Sequence, residues 1–255
     1  MLTDTWVREF DLFTPAECST VRQALDELRP HWIQRHPVAP FFTLGASNYF
    51  DITYNPMLPY YRFATRFNPL LLEQLGWFYE RLTQGIAHYL GSPAQFRPNL
   101  GMPGFHIFLS HQSFAQPKDL THIEWFRSKG KAEVVGNAIH CDTAHLVVDW
   151  GNRDGLELEN PISITVSIRI PEAGAGLNYW EFGRERTDDL PPAALREFLI
   201  NSPKHYHPYR LGCMAIHSGL RYHQMAAMPK MLPGDERITL QGHGVRQNGV
   251  WQLFW

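Results

Sequence analysis

Residues 137–146 read NAIHCDTAHL, which sets His140, Cys141, Asp142 and His145 within six positions. Imidazole, thiol and carboxylate groups ligate metals and move protons. On a strand, residues two apart point to the same face, so His140 and Asp142 stand side by side and Cys141 turns away. His145 should face away from the pair, as a supporting or exposed histidine rather than a ligand. The pair alone says little. Among 13 histidines, about one His-x-acidic match is expected by chance, and His122-Ile123-Glu124 is another. Nothing around Cys141 would lower a thiol pKa, so it reads as a small core residue rather than a nucleophile.

The pair gains meaning from residues 212–244, GCMAIHSGLRYHQMAAMPKMLPGDERITLQGHG. This segment supplies His223, then Arg237 and Thr239 two apart on one strand face. Two histidines and one carboxylate on one face of an iron ion leave three positions open. A bidentate 2-oxoacid can fill two of them and O₂ the third. A buried arginine then suits the far carboxylate of the oxoacid, because its planar fork matches carboxylate geometry. A neighbouring hydroxyl would complete that carboxylate's hydrogen bonds.

In this arrangement the chain resembles the Fe(II)/2-oxoglutarate-dependent oxygenases. Their motif is His-x-Asp, a distal His, then Arg with Ser or Thr two residues on. Here it reads His140-Cys141-Asp142, His223, Arg237-Ile238-Thr239. The start LFTPAEC is also similar to the first helix of that superfamily. The resemblance covers about residues 104–250. It implies a double-stranded β-helix, a jelly roll of the cupin kind, with Fe(II) held by His140, Asp142 and His223. It further implies 2-oxoglutarate held by Arg237 and Thr239, and its conversion with O₂ to succinate and CO₂ as a substrate C–H bond is oxidised. Asp142 stands where related halogenases carry a small residue, which favours hydroxylation; desaturation and cyclisation use the same ligands. His217 and His243 are rivals for the third ligand position, and the family order favours His223. A different class of reading is a cupin-like or lectin-like jelly roll that binds a ligand without oxidative chemistry.

Substrate contacts are expected from the N-terminal loop around GASNYFD (45–51), from LNYWEF (177–182) and from the segment around Arg127. Asn178 and Trp180 alternate with Tyr179 and so share a face. Arg127, Arg184 and Arg186 are candidates to hold a carboxylate.

These residues need a β framework. Beyond residue 104, runs such as FHIFL, AEVVGNAIH, HLVVDW, ISITVSIRI, LNYWEF, GCMAIHS, RITLQGH and VWQLFW are separated by Gly, Pro and Asn turns. One helix, DDLPPAALREFLI, interrupts them. The pattern predicts a mainly β jelly roll with flanking helices rather than a doubly wound sheet. Upstream, Thr14, Pro15 and Glu17 form a capping box ahead of apolar residues at helical spacing. A second helix is expected from Asn68-Pro69 to about residue 90. One oxygenase domain over 1–255 is expected, with 1–103 packed as helices and loops outside a jelly-roll core at 104–255.

Composition narrows the partners. The net charge is −2 and basic clusters are absent, which disfavours nucleic acid as substrate or partner. No 18-residue apolar span is present, which argues against a membrane helix. The N-terminus lacks the apolar run of a signal peptide. Three distant cysteines without a CxxC pair suit a reducing compartment, the cytoplasm. A small-molecule substrate, such as an amino acid or biosynthetic intermediate, is the remaining expectation.

Overall fold

In a computed structural model, the structure describes residues 6–37, 39–52, 59–111, 114, 139–226, 228 and 230–255. Twelve strands are found among them: β1 (Val7–Asp11), β2 (Ile33–Gln34), β3 (Phe41–Leu44), β4 (Ala94–Phe96), β5 (Gly104–Leu109), β6 (Leu156–Arg169), β7 (Gly176–Gly183), β8 (His205–Pro208), β9 (Cys213–Ser218), β10 (Arg221–Met225), β11 (Glu236–Gln247) and β12 (Val250–Phe254). Four α-helices accompany them: α1 (Pro15–Glu27), α2 (Asn48–Asp51), α3 (Tyr60–Leu90) and α4 (Pro192–Asn201).

The main sheet runs β1-β9-β6-β11-β5-β3-β2, with β12 and β4 attached to β11. A smaller sheet runs β10-β7-β8. His140 extends it, since its N–H donates to the His223 carbonyl at 3.0 Å and its carbonyl accepts from the His223 N–H at 2.9 Å. Apart from the parallel β12–β4 pair, the ladders are antiparallel. The chain leaves the main sheet at Ser218 and enters the small one at Arg221, so the β9–β10 turn is a corner between sheets. The result is a double-stranded β-helix.

The capping box forms as expected: Glu17 N–H donates to Thr14 Oγ1 at 3.2 Å and Thr14 N–H to Glu17 Oε2 at 2.8 Å. Val21 and Leu25 of α1 and Leu71, Phe78 and Leu82 of α3 bury one face of the main sheet, meeting Phe105, Ile107, Ile164, Val166, Ile216, Ile238 and Leu240. Helices on one face oblige the chemistry to sit on the other.

Several expectations change. The second helix begins at Tyr60, not at Asn68-Pro69. Tyr60, Ala64, Phe67 and Leu71 bury one face at helical spacing, and that burial carries the helix through Pro69 despite its missing N–H. Leu75 interrupts the helical dihedrals at φ −131°, six residues beyond the proline. HLVVDW is no strand. Residues 144–146 form a 3₁₀ turn, Leu146 and Val147 are exposed, and the Trp150 indole N–H caps the His145 carbonyl at 2.8 Å. Most of AEVVGNAIH lies outside the described residues. Residues 1–103 supply more than an outer layer, because β1, β2, β3 and β4 hydrogen-bond into the main sheet.

Candidate metal centre

His140 and His223 exchange both backbone bonds, so their side chains emerge on the same side. Their ring centroids are 4.4 Å apart. Asp142 reaches the same spot because its N–H donates to the Gly219 carbonyl at 2.7 Å, tying it to the corner between the sheets. A Cβ at Gly219 would stand 3.3 Å from Asp142 Cβ and 3.1 Å from Ser163 Oγ, tighter than ordinary contact. The glycine therefore lets this corner close on the carboxylate.

His140 Nε2 is 3.5 Å from Asp142 Oδ1, and His223 Nε2 is 3.2 Å from Asp142 Oδ2. The three donor atoms lie within 4.8 Å of one another, a grouping that can hold a metal ion. His223 Nδ1 is 2.8 Å from the Arg221 carbonyl. A carbonyl only accepts, so Nδ1 carries the proton and the Nε2 lone pair is free to ligate. Of the rivals, His217 faces His223 from β9 with ring centroids 4.5 Å apart, its Nδ1 turned to the Ser218 carbonyl at 3.0 Å. His243 Nδ1 lies 3.8 Å from Asp142 Oδ2. Neither belongs to the three-donor group.

Burial alone would raise the Asp142 carboxyl, but the neighbouring His223 and His243, with hydrogen bonds from His140 and His223, hold it well below the usual range. Burial works to lower His223, and Asp142 more than offsets this and raises it. Burial pushes His217 down to about 3, helped by His223. His145 falls to about 4, chiefly through burial and then His243. A low-pKa imidazole stays neutral at pH 7, the form that ligates or accepts a proton.

The centre opens into a pocket between the sheets. Arg237 sits deep in its wall, 1% exposed. It donates through Nη1 to the Ala226 carbonyl at 3.2 Å and through Nη2 to the Gly176 carbonyl at 3.4 Å, and its buried Nε has no partner among the described residues. Burial lowers its pKa, with Tyr209 and Tyr206 opposing. Thr239 is buried beside it, accepting from Gln241 Nε2 at 3.0 Å; Gln241, not Thr239, lines the pocket. Phe41, Phe108, Tyr49, Phe50 and Trp255 also line it. Phe41 stacks on Phe108 at 4.3 Å. Trp255 can lie close because Gly104 has no side chain: a Cβ there would fall 2.2 Å from the indole.

The expected substrate loop is thus well placed, since Ser47, Tyr49 and Phe50 of 45–51 line the pocket. The other substrate residues need correction. Asn178 pairs across with Gln224, Nδ2 to Oε1 at 3.4 Å, and neither it nor Trp180 lines the pocket. Trp180 is wholly buried on the far face of the small sheet with Phe182, Leu199 and Tyr222, its indole donating to the Leu199 carbonyl at 3.1 Å. The physical reason is register: His223 faces Tyr179 and Met225 faces Leu177 across the ladder, so the odd positions of β7 look inward. Arg184 pairs with Asp188 at 3.0 Å and Arg186 lies over Phe182, both off the pocket. Arg127 lies outside the described residues. Cys141 behaves as expected, half-buried with its thiol on the Leu220 carbonyl at 3.3 Å.

Solved structures match this arrangement of a main sheet and a small sheet. AviO1 from Streptomyces viridochromogenes Tue57 is 12% identical with a TM-score of 0.52, over 95% of this chain and 90% of that one. The chain shares the fold of AviO1. SnoK, a non-haem α-ketoglutarate-dependent carbocyclase of nogalamycin biosynthesis, is 12% identical at a TM-score of 0.49, over 94% of this chain and 78% of that one. A Pseudomonas putida prolyl-4-hydroxylase is 13% identical at a TM-score of 0.40, over 97% and 96%. No family model and no curated protein matches the sequence. On this fold, pattern reading missed the pocket-lining Ser163, Gln241, His106 and Tyr209, and weighed His243 only as a rival metal ligand. The signal for two of them was present: Gln241 and His243 continue the alternation begun by Arg237 and Thr239.

Proposed function

We propose that the chain is an Fe(II)- and 2-oxoglutarate-dependent oxygenase that hydroxylates a C–H bond of a small molecule. The carrying observation is a conjunction. Three donors from two distant segments meet within 4.8 Å, and the same pocket holds a buried arginine whose Nε has no partner among the described residues. Two imidazole nitrogens and a carboxylate oxygen fit iron with open positions. A buried guanidinium with an unused N–H fits an anionic ligand group. Bound there, iron with 2-oxoglutarate and O₂ supplies oxidative C–H chemistry, and the keto acid ends as succinate and CO₂.

The protein residues would divide the work. His140, Asp142 and His223 hold the metal. Arg237 binds the far carboxylate of 2-oxoglutarate, and Thr239 assists by fixing the Gln241 amide. Tyr49, Phe50 and Trp255 exclude water and seat apolar parts of the substrate. Strands β1–β4 tie the N-terminal part into the sheet, so the chain is read as one oxygenase domain. Cys18 and Cys213 are buried free thiols, which suits the cytoplasm; among the described residues no helix is long and apolar enough to cross a membrane.

Anaerobic protein with Fe(II) and 2-oxoglutarate is expected to develop a weak visible charge-transfer band, and with O₂ to release succinate. His223→Ala should lose iron retention and the band. A wild-type protein with neither band nor succinate, across a panel of metabolites, would favour the ligand-binding jelly roll instead.

A further inference from the structure

Asp142 is the only acidic residue in the metal group, and one of its oxygens is already engaged. Ser163 Oγ–H donates a short hydrogen bond to Asp142 Oδ2. Ser163 Oγ is also 3.4 Å from His243 Nδ1. A hydroxyl has one proton. With that proton on the carboxylate, the serine oxygen can only accept from His243, which sets the His243 tautomer with hydrogen on Nδ1. The chain of bonds therefore runs from imidazole to hydroxyl to carboxylate.

The fold builds this chain deliberately. Ser163 and His243 are direct cross-strand partners on β6 and β11, at the centre of the main sheet. Asp142 belongs to the segment beside the small sheet, so the Ser163 bond crosses from one sheet to the other. Ser163 is buried, 5% exposed. With Oδ2 held, Oδ1 is the freer oxygen, facing His140 Nε2 at 3.5 Å.

Resting on the iron reading above, we propose that Ser163 and His243 are positioning residues that make Asp142 a one-oxygen metal ligand of fixed orientation. Ser163 acts directly and His243 acts through it. Groups that orient a ligand in this way tune affinity and geometry without touching the metal.

The test is Fe(II) affinity measured anaerobically by competition with a chromophoric chelator. Ser163→Ala should bind Fe(II) about 10- to 100-fold more weakly, and Ser163→Thr, which keeps the hydroxyl, should recover most of the loss. The Fe(II)–2-oxoglutarate band should shift in Ser163→Ala and return in Ser163→Thr, which a loss of packing alone would not produce. His243→Leu should give a smaller loss, and adding it to Ser163→Ala should cost nothing further. His140→Ala serves as the reference. If His140→Ala loses iron while Ser163→Ala binds within twofold of wild type with an unshifted band, the positioning role is overturned and the iron reading stands. If wild type itself fails to hold Fe(II), both fall. Should Ser163→Ala not fold, judged by the circular dichroism of the metal-free protein, His243→Leu decides: an unchanged Fe(II) affinity and band overturn the proposal.

Discussion

Along β6, Ile162, Ile164, Val166 and Ile168 join the core under the helices, while Ser163 and Thr165 line the pocket. On β11 the division repeats, with Ile238 and Leu240 outside and Arg237, Gln241 and His243 inside. On β9, Met214 and Ile216 oppose His217, and on β5, Phe105 and Ile107 oppose His106 and Phe108. One set of strands therefore presents a helix-covered apolar face and a polar face rich in imidazole. The two-residue period of a strand separates stability from chemistry, and a one-residue slip would exchange them. The outer face should tolerate no polar group. The inner face should tolerate exchanges that alter binding and spare the fold.

The largest effect tests the outer face. Ile164→Asp puts a carboxylate into a site with no exposed surface and should destabilise by more than about 4 kcal/mol. Thr165→Val, its inward neighbour, should change stability by about 1 kcal/mol at most. Urea unfolding followed by circular dichroism measures both, and similar losses would dissolve the distinction.

Next comes Arg237→Ala. It should weaken 2-oxoglutarate binding by about 100-fold, the loss of roughly 3 kcal/mol of charge-assisted hydrogen bonding, with metal content unchanged. Stability should hold or rise, because a buried guanidinium with an unpaired Nε is costly to keep. Unaltered 2-oxoglutarate affinity in calorimetry would remove Arg237 from the cosubstrate site.

The inner face, together with His145 of the 144–146 turn, should also carry a pH dependence that the outer face lacks. His217 and His145, 4% and 3% exposed, have folded pKa values of about 3 and about 4. An unfolded histidine titrates near 6.5. Between these limits the unfolded state binds more protons, so their contribution is complete above about pH 6.5 and is lost as the pH falls. Each contributes up to about 1.4 kcal/mol per pH unit in that window. The urea midpoint of metal-free protein should drop from pH 7 to pH 4.5, and His217→Gln should flatten the slope. Leu240→Ala should lower the midpoint by a similar amount at every pH.

The smallest effect checks the orientation of β7. Trp180→Phe removes the indole bond to the Leu199 carbonyl and should cost about 1 kcal/mol of stability. It should leave 2-oxoglutarate affinity unchanged, and a loss there would return Trp180 to the pocket.

Much of this protein was legible in its sequence. The order His140-x-Asp142, His223, Arg237-x-Thr239, the Thr14 capping box and the β alternation after residue 104 depend on near neighbours and on strand or helix period, both local properties. Local pattern also contained Gln241 and His243, as continuations of the Arg237 face. Three things needed the tertiary structure. The third donor of the candidate group needed it, because His217 and His223 lie on strands of different sheets and the His140–His223 bridge brings His223 Nε2 to Asp142. The inward residues of β7 needed it, because alternation gives two faces and only pairing with β10 says which one looks into the barrel. The engagement of Asp142 by Ser163 needed it, because that bond joins residues 21 apart across the two sheets. Periodicity assigns residues to faces. Which face meets which neighbour is decided when strands distant in sequence choose a register, and that choice is a property of the whole fold.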